Sequence, residues 1–304
     1  MIPVLDDRAR AALVLGERVF DSGMEWEALW DVVYRYVAPT RANIFQKKRT
    51  PSDVQADVFD STAIEAADSL TSGVITGMFP FWQSWFDLVP GPAVRTQRER
   101  DALREQLDMI RDFALKYLAS NGFYDAMEPV VLDRIVGGTG YLYCTTAPDG
   151  STRFSCAALS DTRHSEDVHG APLIVVNKKQ YTPRAVADEW GDKVPEGLLS
   201  KDPTVPSLEV LRVDNRTADG AWEQWTILKQ GCCVLEYRTE KHPRFYPTRW
   251  SRVPNWPYGR GPALLSLSDI RAINKLKELT LLKDRKSTRL NSSHIQKSRM
   301  PSSA

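Results

Sequence analysis

Few side chains in this 304-residue sequence have types and spacings that could do chemistry. His164-Ser165-Glu166-Asp167-Val168-His169 sets two imidazoles and two carboxylates close together, donors that a divalent metal accepts. The spacing fits no zinc motif and no Cys-x-x-Cys accompanies it, so the segment reads as a solvated loop. Gly137-Gly138-Thr139-Gly140 could turn backbone N–H groups toward a phosphate. It follows a helical pattern and precedes a strand pattern, the reverse of a phosphate loop, and no Gly-Lys-Ser/Thr follows. A tight helix-to-strand turn is the better reading. Asn215-Arg216-Thr217 fits a glycosylation acceptor, but without a secretory leader it reads as a turn. No Gly-x-Ser-x-Gly elbow supports nucleophilic catalysis. The residues therefore predict no catalytic group, no cofactor and no metal.

Composition narrows the classes further. Forty Lys and Arg against 39 Asp and Glu give a net charge of +1, and 42% of residues are hydrophobic. Bulk charge of that size does not coat nucleic acid or an anionic membrane. The charge is uneven: Arg285, Lys286, Arg289, Lys297 and Arg299 stand in the last twenty residues with no acid, leaving −4 for residues 1–284. Cys144, Cys156, Cys232 and Cys233 are too few for a disulfide scaffold and read as reduced thiols of an intracellular protein. The N-terminus lacks a basic leader, and no apolar run is long enough to span a membrane.

Two regions emerge, as roughly 150 residues per domain suggests. Residues 1–137 are mainly helical and 138–255 β-rich, an α+β chain. Trp26, Trp30, Val33 and Val37 sit at helical spacing before Pro39; Ala63, Ala67, Leu70, Val74 and Met78 mark another helix. Trp85–Val89 reads as a short strand. Leu103 to Tyr117 is a long amphipathic helix closed by Asn121-Gly122, and a further helix spans about 123–136. TyrLeuTyrCysThrThr and ThrArgPheSerCysAlaAla form a hairpin around Pro148-Asp149-Gly150. Pro172–Lys179 is another strand, Thr182-Pro183 opens a short helix ending at Trp190-Gly191, and three strands after Ser207 form an antiparallel meander.

Gly261-Pro262 opens a helix expected to run to about Lys283. Leu264, Leu267, Ile270, Ile273, Leu276 and Leu279 recur every third residue. Each such step drifts about 60° around the helix, so the apolar line nearly encircles it over about 34 Å. Nothing else in the sequence is an obvious partner for all of that surface, which predicts packing against other subunits or absent chain.

Taken together and in order, Trp30–Pro39, Phe59-Asp60-Ser61-Thr62, Pro80 with Trp85-Phe86, Gly137–Gly140, Arg249-Trp250 and Tyr258-Gly259-Arg260-Gly261-Pro262 carry a further signal. Over roughly residues 20–283 the sequence resembles the head-to-tail connector (portal) proteins of short-tailed, T7-like bacteriophages. The resemblance implies a ring of about twelve copies at one capsid vertex. Such a homododecamer nucleates capsid assembly with scaffolding protein, docks terminase, passes double-stranded DNA without sequence specificity during packaging and ejection, and holds tail adaptor proteins. It implies a virion protein, assembled in host cytoplasm, with no enzymatic activity, cofactor or membrane.

In this frame residues 1–255 are a wing-like α+β region and 256–284 a hinge with the first part of a stem helix. Tyr258, Gly259, Arg260, Gly261 and Pro262 form the hinge. Leu264, Leu267, Ile270, Ile273 and Leu276 join them as oligomer-interface positions. The glycines are expected to permit the turn, and Arg260 to make an ion pair between elements or subunits. Residues 285–304, serine-rich and aperiodic, read as a non-native, adaptor-like tail on a truncated chain, rather than a DNA-gripping arm. Two other classes are open: a cytoplasmic α+β enzyme with a dispersed site, or a virion collar or adaptor. The enzyme expects a concave pocket with convergent titratable groups; the portal reading expects none, and an apolar face left open on Gly261–Lys283.

Overall fold

The computed structural model of the chain describes residues 7–42, 58–94, 96–147, 150–198 and 207–298. The first part is helical: α1 (Asp7–Ser22), α2 (Glu27–Val37), α3 (Pro39–Ala42), α4 (Thr62–Met78), α5 (Gln97–Ser120) and α6 (Phe123–Val136). In α2 the residues Trp30, Val33, Tyr34 and Val37, one helical face, are all buried. Thr96 caps α5, its Oγ1 accepting the Glu99 N–H at 3.4 Å and its hydroxyl donating to the Glu99 carboxylate at 2.6 Å, and Gly122, at φ 78°, reverses the chain into α6. Helix α6 is buried almost all round, from Phe123 through Val136, and is the axis of the largest core.

Residues 85–89 are not a strand. The chain there pairs with no strand among the described residues, and Trp85 joins an aromatic cluster instead of a ladder. Its ring stacks on Phe123 at 5.9 Å and meets Phe79 edge-on at 5.1 Å, and its Nε1–H donates to the Tyr124 hydroxyl at 3.2 Å.

The second part contains β1 (Thr139–Thr146), β2 (Thr152–Ala157), β3 (Thr162–Glu166), β4 (Pro172–Tyr181), α7 (Pro183–Trp190), β5 (Leu208–Arg216), β6 (Trp222–Leu228), β7 (Cys233–Glu240) and β8 (Phe245–Arg249). They form two antiparallel sheets, ordered β2-β1-β8 and β3-β4-β5-β6-β7. The hairpin, the meander and the Thr182 cap of α7 stand as the sequence predicts. Strand β3 does not: the supposed loop at His164 is a strand whose Thr162, Arg163 and His164 are buried, while His169 lies beyond it in an exposed turn. Asn215 and Arg216 likewise close β5, and only Thr217 begins the turn.

Side-chain alternation gives the five-stranded sheet two faces. Leu211, Val213, Trp225 and Ile227 pack under α1, where a Cβ on Gly16 would stand 2.7 Å from Val213. Leu208, Val210 and Leu228 pack under α7. Farther along that second face Asp214 is fully buried and receives the Arg244 backbone N–H at 2.6 Å and Nε–H at 2.8 Å. Arg244 also donates to Thr226 Oγ1 and to the Trp225 carbonyl, both at 2.9 Å, so the segment entering β8 is bonded to the larger sheet.

The C-terminal helix is two helices, α8 (Pro262–Leu265) and α9 (Leu267–Ser298), divided at Ser266. It runs well past Lys283. Residues 285–298 hold no glycine or proline, so nothing local breaks the helix.

Candidate functional site

The two glycine motifs meet backbone to backbone where the β-rich part hands the chain to α8. A Cβ on Gly138 would overlap the carbonyl of Gly259, and one on Gly259 would overlap the carbonyl of Gly138. Gly261 presses equally on the Ile135 carbonyl and Gly140 on that of Val130. Hydrogen bonds close the corner: Gly259 N–H to Thr139 Oγ1 at 2.9 Å, Trp250 N–H to the Gly138 carbonyl at 2.9 Å and Arg260 N–H to the Ser251 carbonyl at 3.0 Å. Of these glycines only Gly138 has a left-handed backbone, φ 85°. Gly259 and Gly261 are thus required by close approach, not by the turn the sequence suggested.

Tyr258 plugs the corner. Its buried ring meets Trp30 edge-on at 4.9 Å, Trp26 at 5.4 Å and His164 at 5.2 Å. Burial pushes its phenol up to about 12. Beneath it the buried Arg163 lies 4.8 Å from the Trp30 ring centre and donates to Glu27 Oε1 at 2.6 Å and to the carbonyls of Leu159, Ser160 and Thr162. His164 Nδ1 is 2.7 Å from the Tyr141 hydroxyl, and burial, aided by the Arg249 charge, pushes the imidazole down to about 3. It is neutral at physiological pH.

Two further anchors frame the corner. Arg249 bonds Glu166, the Gly170 carbonyl and the Pro257 carbonyl, while its own carbonyl accepts from Arg134. In α6 the buried Asp133 accepts from Tyr34 and from Arg41, each at 2.7 Å; burial lifts its carboxyl to about 6 against the pull of Arg41. On the helix side Asn274 Oδ1 accepts the backbone N–H groups of Phe59 at 2.7 Å and Asp60 at 3.1 Å, and Lys277 pairs with Asp60, holding that carboxyl below its usual range.

This corner is built from the motifs that resembled a phage family, and direct comparison agrees. The sequence model of the family described as bacteriophage head to tail connecting protein matches residues 17–291. The chain belongs to that family. A portal protein of Enterobacteria phage T3 is 24% identical over 220 residues, which cover 69% of this chain and 41% of that protein. This connector-family chain thus aligns with less than half of that relative's length, and the family is one of structural components of the phage particle.

In the connector chain, Tyr258, Gly259 and Gly261 are buried, Pro262 is half-buried at the first position of α8, and Arg260 is exposed. Among the described residues of one chain the Arg260 guanidinium pairs with no carboxylate. The apolar series divides. Leu264, Leu267 and Ile270 pack on the α6-centred core, whereas Ile273 and Leu276 are 45% and 64% exposed. No group of three or more metal-binding side chains occurs among the described residues, and no described helix is long and apolar enough to cross a membrane.

Concave sites do exist, contrary to the expectation of none. One cleft of mixed charge, about 440 Å³, gathers Cys144, Glu236, Arg238 and His242. Burial raises the Cys144 thiol to about 11, which leaves it protonated and a poor nucleophile. Sequence reasoning missed Asp133, Arg163, Thr139 and Gly138 as parts of the corner. The signal was present in the glycine pairs, but a glycine does not announce which backbone it touches.

Two outcomes follow. Gly138→Ala, strained by φ and by overlap, should cost about 1–3 kcal/mol or more in urea unfolding, whereas Gly150→Ala, also at positive φ but facing open space, should cost less. Between pH 6.5 and about 3 the unfolded chain binds a proton at His164 that the folded chain refuses, so this residue makes stability fall on acidification. Stability measured from pH 7 to 5 should therefore decline less steeply in His164→Gln than in the parent.

Proposed function

We propose that this chain is the body and proximal stem helix of a portal subunit. It assembles into a closed ring of about twelve copies at a single capsid vertex. Double-stranded DNA enters and leaves through the channel, scaffolding and capsid proteins surround the ring, and terminase and then tail adaptors dock on it. The work is mechanical and needs no catalytic group.

The observation that carries this reading is the division of α9. Its first turns are fixed to the body by Leu267, Ile270, Asn274 and Lys277. From Leu276 onward, Leu276, Leu279, Leu281 and Leu282 stand 44–64% exposed on different sides of the helix. An exposed leucine series on a helix rigidly presented by its own domain is the surface that a neighbouring copy buries. The mildly acidic body, −4 over residues 1–284, suits passage of DNA, because a strongly basic wall retains phosphates.

Native mass spectrometry of the protein expressed from its whole gene should give closed rings of about twelve copies. Leu276→Asp combined with Leu279→Asp should leave monomers with unchanged far-ultraviolet circular dichroism. A parent protein that stays monomeric under all assembly conditions contradicts the assignment.

A further inference from the structure

A second cleft, about 240 Å³, opens where the three-stranded sheet diverges from the second face of the five-stranded one. Tyr143 and Ser155 line it from one side; Asn177, Lys179, Tyr181 and Arg212 from the other. Strand register explains the grouping, since Asn177 stands directly opposite Arg212 on β4 and β5.

The cations here are poorly compensated. Arg212 lies 5.7, 5.4 and 5.8 Å from the ring centres of Tyr143, Tyr181 and Trp190, and among the described residues no carboxylate pairs with it. Only its Nη1 donates, to the Tyr181 hydroxyl at 2.9 Å and to Asn177 Oδ1 at 3.5 Å. Among the described residues Nε and Nη2 have no hydrogen-bond acceptor, and the Arg212 side chain is half-buried. Lys179 Nζ lies over the same Tyr181 ring, 5.4 Å from its centre. Both cations therefore contact one aromatic ring. Asp161, which lines the cleft and receives Ser160 Oγ–H, offsets one of them, so the lining keeps a net positive charge.

Aromatic faces hold a cation in place without satisfying its N–H donors. The Nε/Nη2 edge of a guanidinium is the fork that takes two oxygens of one oxyanion. We propose that this cleft binds a small tetrahedral oxyanion of the phosphate type. Arg212 supplies the fork, Lys179 the second charge and Ser155 a hydroxyl donor. The ion balances the net positive lining and ties β2 of one sheet to β4 and β5 of the other.

The test is isothermal titration of the full chain with inorganic phosphate at constant ionic strength, with acetate in a parallel titration. Saturable one-to-one phosphate binding is expected, with acetate weaker. Lys179→Ala, at an exposed position, should weaken phosphate at least several-fold, and Arg212→Met by about tenfold or more, the loss of a charge-assisted pair of bonds. The inference is overturned by absence of saturable binding, by acetate binding as tightly as phosphate, or by unchanged affinity in Lys179→Ala; that variant decides even if Arg212→Met does not fold.

Discussion

Everything downstream of residue 255 depends on a steric fact: two carbonyl groups, those of Gly138 and Gly259, occupy the space where a β-carbon on the opposite residue would sit. Contact at this range leaves the two segments little room to slide or rotate. The same corner holds the end of α6, the start of β1 and the start of α8 within one network of backbone hydrogen bonds. The direction of α9 is therefore inherited from the buried core, and the connection works as a packed joint. Tyr258 completes it by filling the volume that the glycines leave empty, against Trp26, Trp30 and His164.

Buried charge is the second organising feature. Arg163, Asp133, Asp214 and Arg244 are all removed from water, and each is met by several partners in place of one. Such groups add little net stability when complete and cost several kcal/mol when one partner is lost, so they specify which elements meet. Arg41 reaches from α3 to α6, Arg163 from β3 to the start of α2, Arg244 from β8's approach to β5 and β6. Titration makes the point from the other side. Burial raises Asp133 and lowers His164, so on acidification the first residue gains a proton early and stabilises the fold while the second resists one and destabilises it.

The helices were legible because period 3.6 survives in the letters: Trp30, Val33, Tyr34 and Val37 all turn inward. Thr182-Pro183 announced α7 through cap chemistry alone. Strand β3 was hidden because Thr-Arg-His-Ser-Glu looks solvated, and its burial depends on Tyr141, Glu27 and Arg249, which are distant in sequence. Trp85–Val89 misled in the opposite sense, since its β-forming residues serve a side-chain cluster. The letters of Tyr258–Pro262 suggest a turn; the physical reason for the glycines, contact with Gly138 and Ile135, lies some 120 residues away in the chain. The exposed half of the apolar series on α9 was anticipated by its three-residue spacing, while the break at Ser266 left no mark in that pattern.

The account turns on whether the joint is rigid. Amide hydrogen exchange at Gly259 and Arg260 tests this directly, because their N–H groups bond Thr139 Oγ1 and the Ser251 carbonyl inside the corner. A packed joint predicts protection comparable with the core amides of β1 and slower than the exposed turn at Gly220. Exchange at Gly259 and Arg260 as fast as at Gly220 contradicts the account.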